Sequence, residues 1–343
     1  MEHGQEQKRV SANSATHTNR MPDIAAVAIG RNEGERLRRC LASMRGCFQR
    51  LVYVDSGSTD NSIEIAHAAG VEVVELDLSK PFTAARARNA GFAALKASGS
   101  LNDFVQFVDG DCLLQPEWIE KAAEAMIADP GLGIVTGWRS EIHRNATIYN
   151  AICDFEWRRP AGDILTCGGD MLVRSEAFIE VGGFNDSIIA AEDDEFCVRI
   201  RAAGWRIRRL PVEMTLHDAA MTRFSQWWQR AVRSGHGFAQ VGDIHPTYFV
   251  KERRRVWLFG LVLPTIAIAG VLLSVLVPLI VAALYGASYL RTANGLRREG
   301  LSTREALSHA CFITFSKFPN VIGMLTYFWR QRKGHRMNII EYK

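Results

Sequence analysis

Residues Phe104–Cys112 read FVQFVDGDC. Five positions of mostly apolar and aromatic character, the pattern of a buried strand, run straight into two aspartates held one residue apart by a glycine. Asp109 and Asp111 therefore stand at the carboxyl end of a strand, the edge of an open α/β sheet where ligands bind. Two carboxylates there repel each other unless a cation lies between them, and hard oxygen ligands suit Mg²⁺ or Mn²⁺ with phosphate oxygens completing the shell. A plain polar turn uses the same residue types, so the surrounding chain has to decide.

Upstream, IAAVAI at Ile24–Ile29 has the length and composition of a buried strand, and GRNEGERLRRCLASM after it reads as a loop and an amphipathic helix. Leu51–Val54 is a second strand, followed by a polar turn and a helix opened by Ser58 and Asp60 as capping residues. VEVVEL from Val71 is a third strand, and a helix over Ala84–Lys96 leads into FVQFVDGD. Strands alternating with helices predict βαβ units and a largely parallel sheet with helices on both faces. Downstream, a helix from Pro116 to Ala128 precedes the strand LGIVTGW, and residues 140–166 carry aromatics and charges without a period. AEDDEFCVRIRAAGW predicts a helix beginning near Glu192, since acids are favoured in a first turn. Four consecutive carboxylates also repel, and one with a raised pKa suits a general base.

The order VAIGRNEGERL, VDSGSTDNS, ARARNAG and FVDGDC resembles the nucleotide-binding half of a family 2 glycosyltransferase with the GT-A fold, over about residues 24–240. Bacterial enzymes of this kind build exopolysaccharide and cell envelope. The resemblance implies a metal-dependent hexosyltransferase that takes a nucleoside-diphosphate sugar as donor and a lipid-linked or saccharide compound as acceptor. It implies that Asp55 contacts the base, although Asp55–Ser56 stands where many relatives have two aspartates, and that Asn32, Glu33, Arg88 and Asp109 lie around the nucleotide. Gly168, Gly169 and Asp170 match a turn near the donor sugar, with residues 140–166 on the acceptor side. Asp193 matches the base that deprotonates the acceptor hydroxyl. His217, after the strand WRIRRLPVEMTLH, matches a position that several GT-A enzymes use as a metal ligand beside Asp109 and Asp111. Arg230 suits the diphosphate, as a guanidinium fork would. Processive relatives carry QxxRW; here the tryptophans Trp227 and Trp228 precede Arg230, which speaks against processivity.

Composition narrows the class further. The chain has 343 residues, 48% of them hydrophobic, enough for one large or two ordinary domains. The formal charge of +4 is mild and uneven, with arginines crowding the last hundred residues, which fits an anionic membrane better than a nucleic-acid groove. Seven cysteines without a CxxC pair predict reduced thiols on the cytoplasmic side rather than disulfides or zinc. Residues 1–20 read as a disordered polar tail, 21–245 as the catalytic domain and 246–343 as a membrane-associated region. Val256 to Leu290 holds no charged residue over 35 positions. One helix of that length would measure about 52 Å, too long for a ~30 Å hydrocarbon core. Pro264, Gly270, Ser274 and Pro278 offer places to bend, and arginines flank both ends, which predicts a re-entrant hairpin in the cytoplasmic membrane. Ala310–Trp329 reads as an interfacial helix. Two other classes fit the residues less well: a sugar-phosphate nucleotidyltransferase, which would need a glycine-rich, lysine-bearing first loop, and a silent membrane adaptor, which would need neither acidic motif. GRNEG is not GxGxxG, which excludes a dinucleotide oxidoreductase.

Overall fold

The computed structural model describes residues 22–97, 99 and 101–341; the expected N-terminal tail lies outside them. The first half is the predicted alternation. Strand β1 (Ile24–Gly30), α1 (Glu35–Ser43), β2 (Arg50–Asp55), α2 (Ser62–Ala68), β3 (Glu72–Glu75), α3 (Ala84–Ala97) and β4 (Phe104–Asp109) form a parallel sheet in the order β3-β2-β1-β4. Both faces are covered: Ala26, Ala28, Tyr53 and Val108 enter one core, and Val27, Val52, Val54 and Phe107 the other. Alternation along each strand produces this split. Gly91 lets α3 approach closely, because a methyl there would collide with Val27. The chain leaves β1 in one direction and returns to it from the other through β4. That strand-order reversal opens a crevice at the carboxyl ends.

Beyond β4 the sheet becomes mixed. Strand β5 (Cys112–Leu114) and α4 (Trp118–Ala128) lead to β6 (Leu132–Glu141), then α5 (Ile148–Trp157), β7 (Gly162–Ile164), β8 (Met171–Arg174), α6 (Ser175–Glu180), α7 (Glu192–Ala202) and β9 (Arg206–His217). β8 inserts antiparallel between β4 and β6, β9 runs parallel to β6, and β5 and β7 pair antiparallel with β9. The largely parallel expectation thus holds for β3, β2, β1 and β4 and again for β6 and β9, with β5, β7 and β8 running against them. Residues 140–166 contain α5, which aperiodic aromatics concealed and which Thr147 caps by accepting from the Asn150 amide. Ser58 does not open α2. Its hydroxyl accepts from the Asn32 amide, while Asp60 receives the Ser62 amide.

The C-terminal part is wholly helical: α8 (Phe224–Ile244), α9 (Val250–Trp257), a π turn over 258–262, α10 (Leu263–Gly270), α11 (Leu276–Arg298), α12 (Thr303–Phe315) and α13 (Lys317–Lys333). Pro264 has no amide hydrogen to donate, and the wide turn lies directly before it. Gly270, where any side chain would meet Val277, lets α10 turn back on α11. The uncharged run therefore folds as a helical hairpin, with Ile268, Leu272 and Leu273 exposed at 75%, 90% and 84% around its tip. Among the described residues, α11 is the helix long and apolar enough to cross a membrane. Ala310–Trp329 is not one interfacial helix: it breaks at Ser316, and α13 packs on α8. Asn320 donates to the Ala231 carbonyl there. Gly235 and Gly323 sit where a methyl would strike the opposite helix's backbone carbonyl.

That contact generates a test. Gly323→Ala should destabilise the whole molecule by about 1–3 kcal/mol, the usual scale for overpacking, seen as a lower thermal midpoint. An unchanged midpoint would mean that α13 is not part of the cooperative fold.

Candidate active site

The carboxyl ends of β2, β1 and β4 lie level, with Gly30 opposite Asp55 and Ile29 opposite Asp109. Asp109 is clamped there. Arg88 of α3 reaches one carboxylate oxygen at 2.8 Å and Arg139 of β6 the other at 2.8 Å. Burial opposes ionisation of Asp109, but the two guanidinium groups outweigh it and hold the carboxyl below its usual range. Arg88 is 2% exposed and also pairs with Glu192 at 2.8 Å. Arg139 pairs with Asp170 at 2.9 Å.

Asp170 stands behind this clamp rather than beside a ligand. Its oxygens accept from the Asp109 amide at 2.9 Å and the Thr215 hydroxyl at 2.8 Å. Gly169 has to be glycine, since a methyl would occupy the Arg88 guanidinium position. Arg139 escaped the sequence reading. Its one signal was a lone arginine ending a run of buried aliphatic residues.

Asp111 turns the other way. Its Oδ2 lies 3.3 Å from His217 Nε2, while His217 Nδ1 faces Glu141 Oε2 at 3.6 Å and Trp157 packs edge-on against the imidazole at 4.5 Å. The antiparallel pairing of β5 with β9 sets Cys112 opposite His217 and so brings the two ligands together. Asp111, Cys112 and His217 lie close enough together to hold a metal ion, and Glu141 stands behind the imidazole. Asp109, expected to share the ion with Asp111, pairs through its two oxygens with Arg88 and Arg139, and it also stands with Cys112 and Asp170 in a second group of ligand-type side chains. Burial, as the largest cause, pushes the Cys112 thiol well up.

The expected base contact at Asp55 also changes. Its carboxylate is buried and accepts from the Tyr53 and Ser58 hydroxyls and from the Gly57 and Ser58 amides. This aspartate builds the turn, and Ser56 reaches the cleft instead. Asn32, in the left-handed region at φ 58°, accepts from the Thr59 amide at 2.7 Å and locks the first loop to the second. Asn32, Glu33, Arg88, Asp109, Asp111, Gly169, Asp193, His217 and Arg230 all line one cleft of about 610 Å³. Arg230 is held by Glu156 at 2.9 Å, and Glu341 of the C-terminal segment pairs with Arg31 at the rim.

The four acids of α7 have separate environments. Glu192 pairs with Arg88, and Glu195 with Arg199 at 2.7 Å and His245 at 3.1 Å. Asp194 accepts from Thr166 and Tyr248. Asp193 lines the cleft and accepts the Asp194 amide at 2.9 Å. Burial first, then Glu192 and Asp194, push its carboxyl well above the usual range. Ala191, before this helix, is held at φ 60°, a costly conformation for alanine that sets the acids at the cleft wall.

A nucleotide-binding half sheet, a DxD edge and a strained turn carrying a base-like aspartate define the class: a GT-A transferase fold. The mannosyltransferase PcManGT from Pyrobaculum calidifontis, solved with GDP-Man and Mn²⁺, matches with a TM-score of 0.60 at 17% identity, over 91% of this chain and 89% of its own. That likeness speaks for the fold. Residues 27–178 match the model of Glycosyl transferase family 2, and residues 104–329, more than half the chain, match that of Glycosyl transferase family group 2. The chain belongs to the family 2 glycosyltransferases. The pre-mycofactocin glycosyltransferase of Mycobacterium tuberculosis is 28% identical over 238 residues, and YdaM of Bacillus subtilis, a probable glycosyltransferase, 23% over 264. These matches cover 65% and 70% of this chain. The chain spans about half the length of the mycobacterial relative, and 61% of YdaM.

The clamp predicts an acid-stability signature. Asp109 ionises below its unfolded value of ~3.9, so its stabilisation is complete above that pH and is lost as pH falls through the folded value. Arg139→Leu strands Asp109 and Asp170, which should cost about 3–5 kcal/mol at neutral pH. The deficit should shrink in acid as the carboxylates are neutralised. Urea titrations of both proteins from pH 7 to pH 3 measure it, and a deficit independent of pH would contradict the clamp.

Proposed function

We propose that this chain is an inverting, metal-dependent glycosyltransferase that moves a hexosyl group from a nucleoside-diphosphate sugar to a hydroxyl of a lipid-linked or saccharide acceptor at a membrane. The observation that carries this reading is Asp193, a carboxyl of raised proton affinity in the same cleft as the Asp111–His217 pair. Asp193 takes the acceptor's proton as the hydroxyl oxygen attacks the anomeric carbon, and the nucleoside diphosphate leaves from the opposite face, so the configuration inverts. Mg²⁺ or Mn²⁺ on Asp111 and His217 would neutralise the charge developing on the departing diphosphate. Arg230 faces the same cleft and suits a phosphate oxygen. Glu195 is unsuited as the base because Arg199 and His245 already hold it.

Membrane attachment rests on the α10–α11 hairpin. A contiguous exposed apolar tip of this kind marks an interaction surface, and the flanking Arg253–Arg255 and Arg291–Arg298 match an anionic leaflet. Both cationic flanks resist translocation, which supports a tip that enters from the cytoplasmic face and returns. A membrane-side placement agrees with a role in cell-envelope or exopolysaccharide synthesis.

Four measurements test the proposal. Asp193→Asn should lower turnover by about 10²-fold or more while leaving nucleotide affinity intact. The active form is the ionised one, so wild-type kcat should fall with acid on a limb lying above the ordinary carboxylate range of ~4. A flat profile down to pH 5 would reject Asp193 as base. Asp111→Ala should abolish both transfer and metal-dependent binding of the nucleoside diphosphate, and unchanged metal-dependent binding would sink that assignment. Leu272→Glu with Leu273→Glu should weaken binding to phosphatidylglycerol vesicles at least tenfold with nucleotide binding unaltered. Equal vesicle binding would place the membrane contact elsewhere.

A further inference from the structure

Behind the donor cleft lies a second cavity of about 520 Å³. Asp193, Asp194, Arg139 and Trp157 line both, so Asp193 stands at their junction with a space on either side of it. A base between a donor cleft and a second chamber faces the nucleophile from that chamber.

The charges of this second space are mostly matched. Asp170 is held by Arg139 and Thr215, Glu156 by Arg230, and Asp194 by Thr166 and Tyr248. Arg209 of β9 stands apart. Its Nη1 reaches the Pro160 carbonyl at a long 3.3 Å, and its buried Nε has no hydrogen-bond partner among the described residues. Arg159, which lines the same cavity, packs over Phe155 and reaches Glu299 at 3.3 Å. Burial first, and then repulsion from Arg159, lower the proton affinity of Arg209. A partly buried guanidinium with an unused donor facing a cavity gains most from an anion placed against it. Ile164, Leu165 and Met214 supply apolar wall in the same cavity.

We infer that this cavity is the acceptor site and that Arg209, with Arg159, binds an anionic group, a phosphate or a carboxylate, carried by the acceptor. The inference rests on the transferase reading and narrows its acceptor to a hydroxyl compound with a negative charge a short distance from the reacting oxygen. The anion anchors and the hydroxyl reacts, because an already ionised nucleophile would have no use for Asp193. Arg209 is thus a specificity residue that acts on acceptor binding, and the donor does not meet it.

The test fills the donor cleft first. Protein saturated with Mg²⁺ and with UDP or GDP, whichever binds, is titrated calorimetrically with methyl phosphate, acetate or methanol. Saturable binding of methyl phosphate is expected, weakened at least tenfold in Arg209→Gln and restored in part in Arg209→Lys, with nucleotide affinity equal in all three proteins. Acetate binding with the same dependence on Arg209 upholds the site for a carboxylate-bearing acceptor. Absence of saturable anion binding while the nucleotide binds, or equal anion affinity in Arg209→Gln, overturns the inference and leaves the donor reading intact. Failure of both nucleotides to bind the wild type overturns the donor reading itself, and the inference with it.

Discussion

The arrangement of the cleft depends on where the charge of Asp109 goes. A carboxylate at the end of a buried strand, two residues from another, is unstable alone, and the fold answers with arginines from two distant elements. Arg88 arrives on the crossover helix before β4, and Arg139 on a strand that reaches the site only because β8 has inserted between β4 and β6. With Asp109 neutralised, Asp111 is left to face His217 across the β5–β9 pairing. Asp170 and Glu192 tie the same arginines to the turn before β8 and to the helix that carries Asp193. One electrostatic network therefore ties the end of β4 to the turn before β8 and to the start of α7.

The half of the fold that follows local rules was legible in the sequence. Runs such as IAAVAI and FVQFVD announce buried strands, and the acids at Glu192–Glu195 announce a helix start, because each depends on near neighbours in the chain. The mixed half was not. β8 pairs with β4 across more than sixty residues, and nothing in MLVR says that it will run antiparallel. The site divides the same way. Asp109, Asp111, Asp193 and His217 were visible as residue types at strand and helix ends, and the structure brings all four to one cleft. Arg139 was invisible because its role comes from a tertiary pairing. Asp55 misled because a carboxylate after a strand can satisfy itself on its own turn, as its four hydrogen bonds do.

The C-terminal helices follow a similar division of labour. Gly235 and Gly323 bring α13 against α8, whose other side carries Arg230 and Arg233 to the cleft. Gly270 folds the uncharged run back on itself so that its leucines gather at one tip. A cleft wall and an apolar hairpin are thereby mounted on one helical scaffold.

The proposed ion site at Asp111 and His217 is the part most directly open to measurement. Pulsed EPR of the protein with Mn²⁺ and a bound nucleoside diphosphate reads the ligand directly, since an imidazole nitrogen on Mn²⁺ produces a nitrogen modulation. The account predicts that modulation in the wild type and its loss in His217→Ala. Bound Mn²⁺ with no nitrogen modulation in the wild type, or a modulation that survives in His217→Ala, would contradict it.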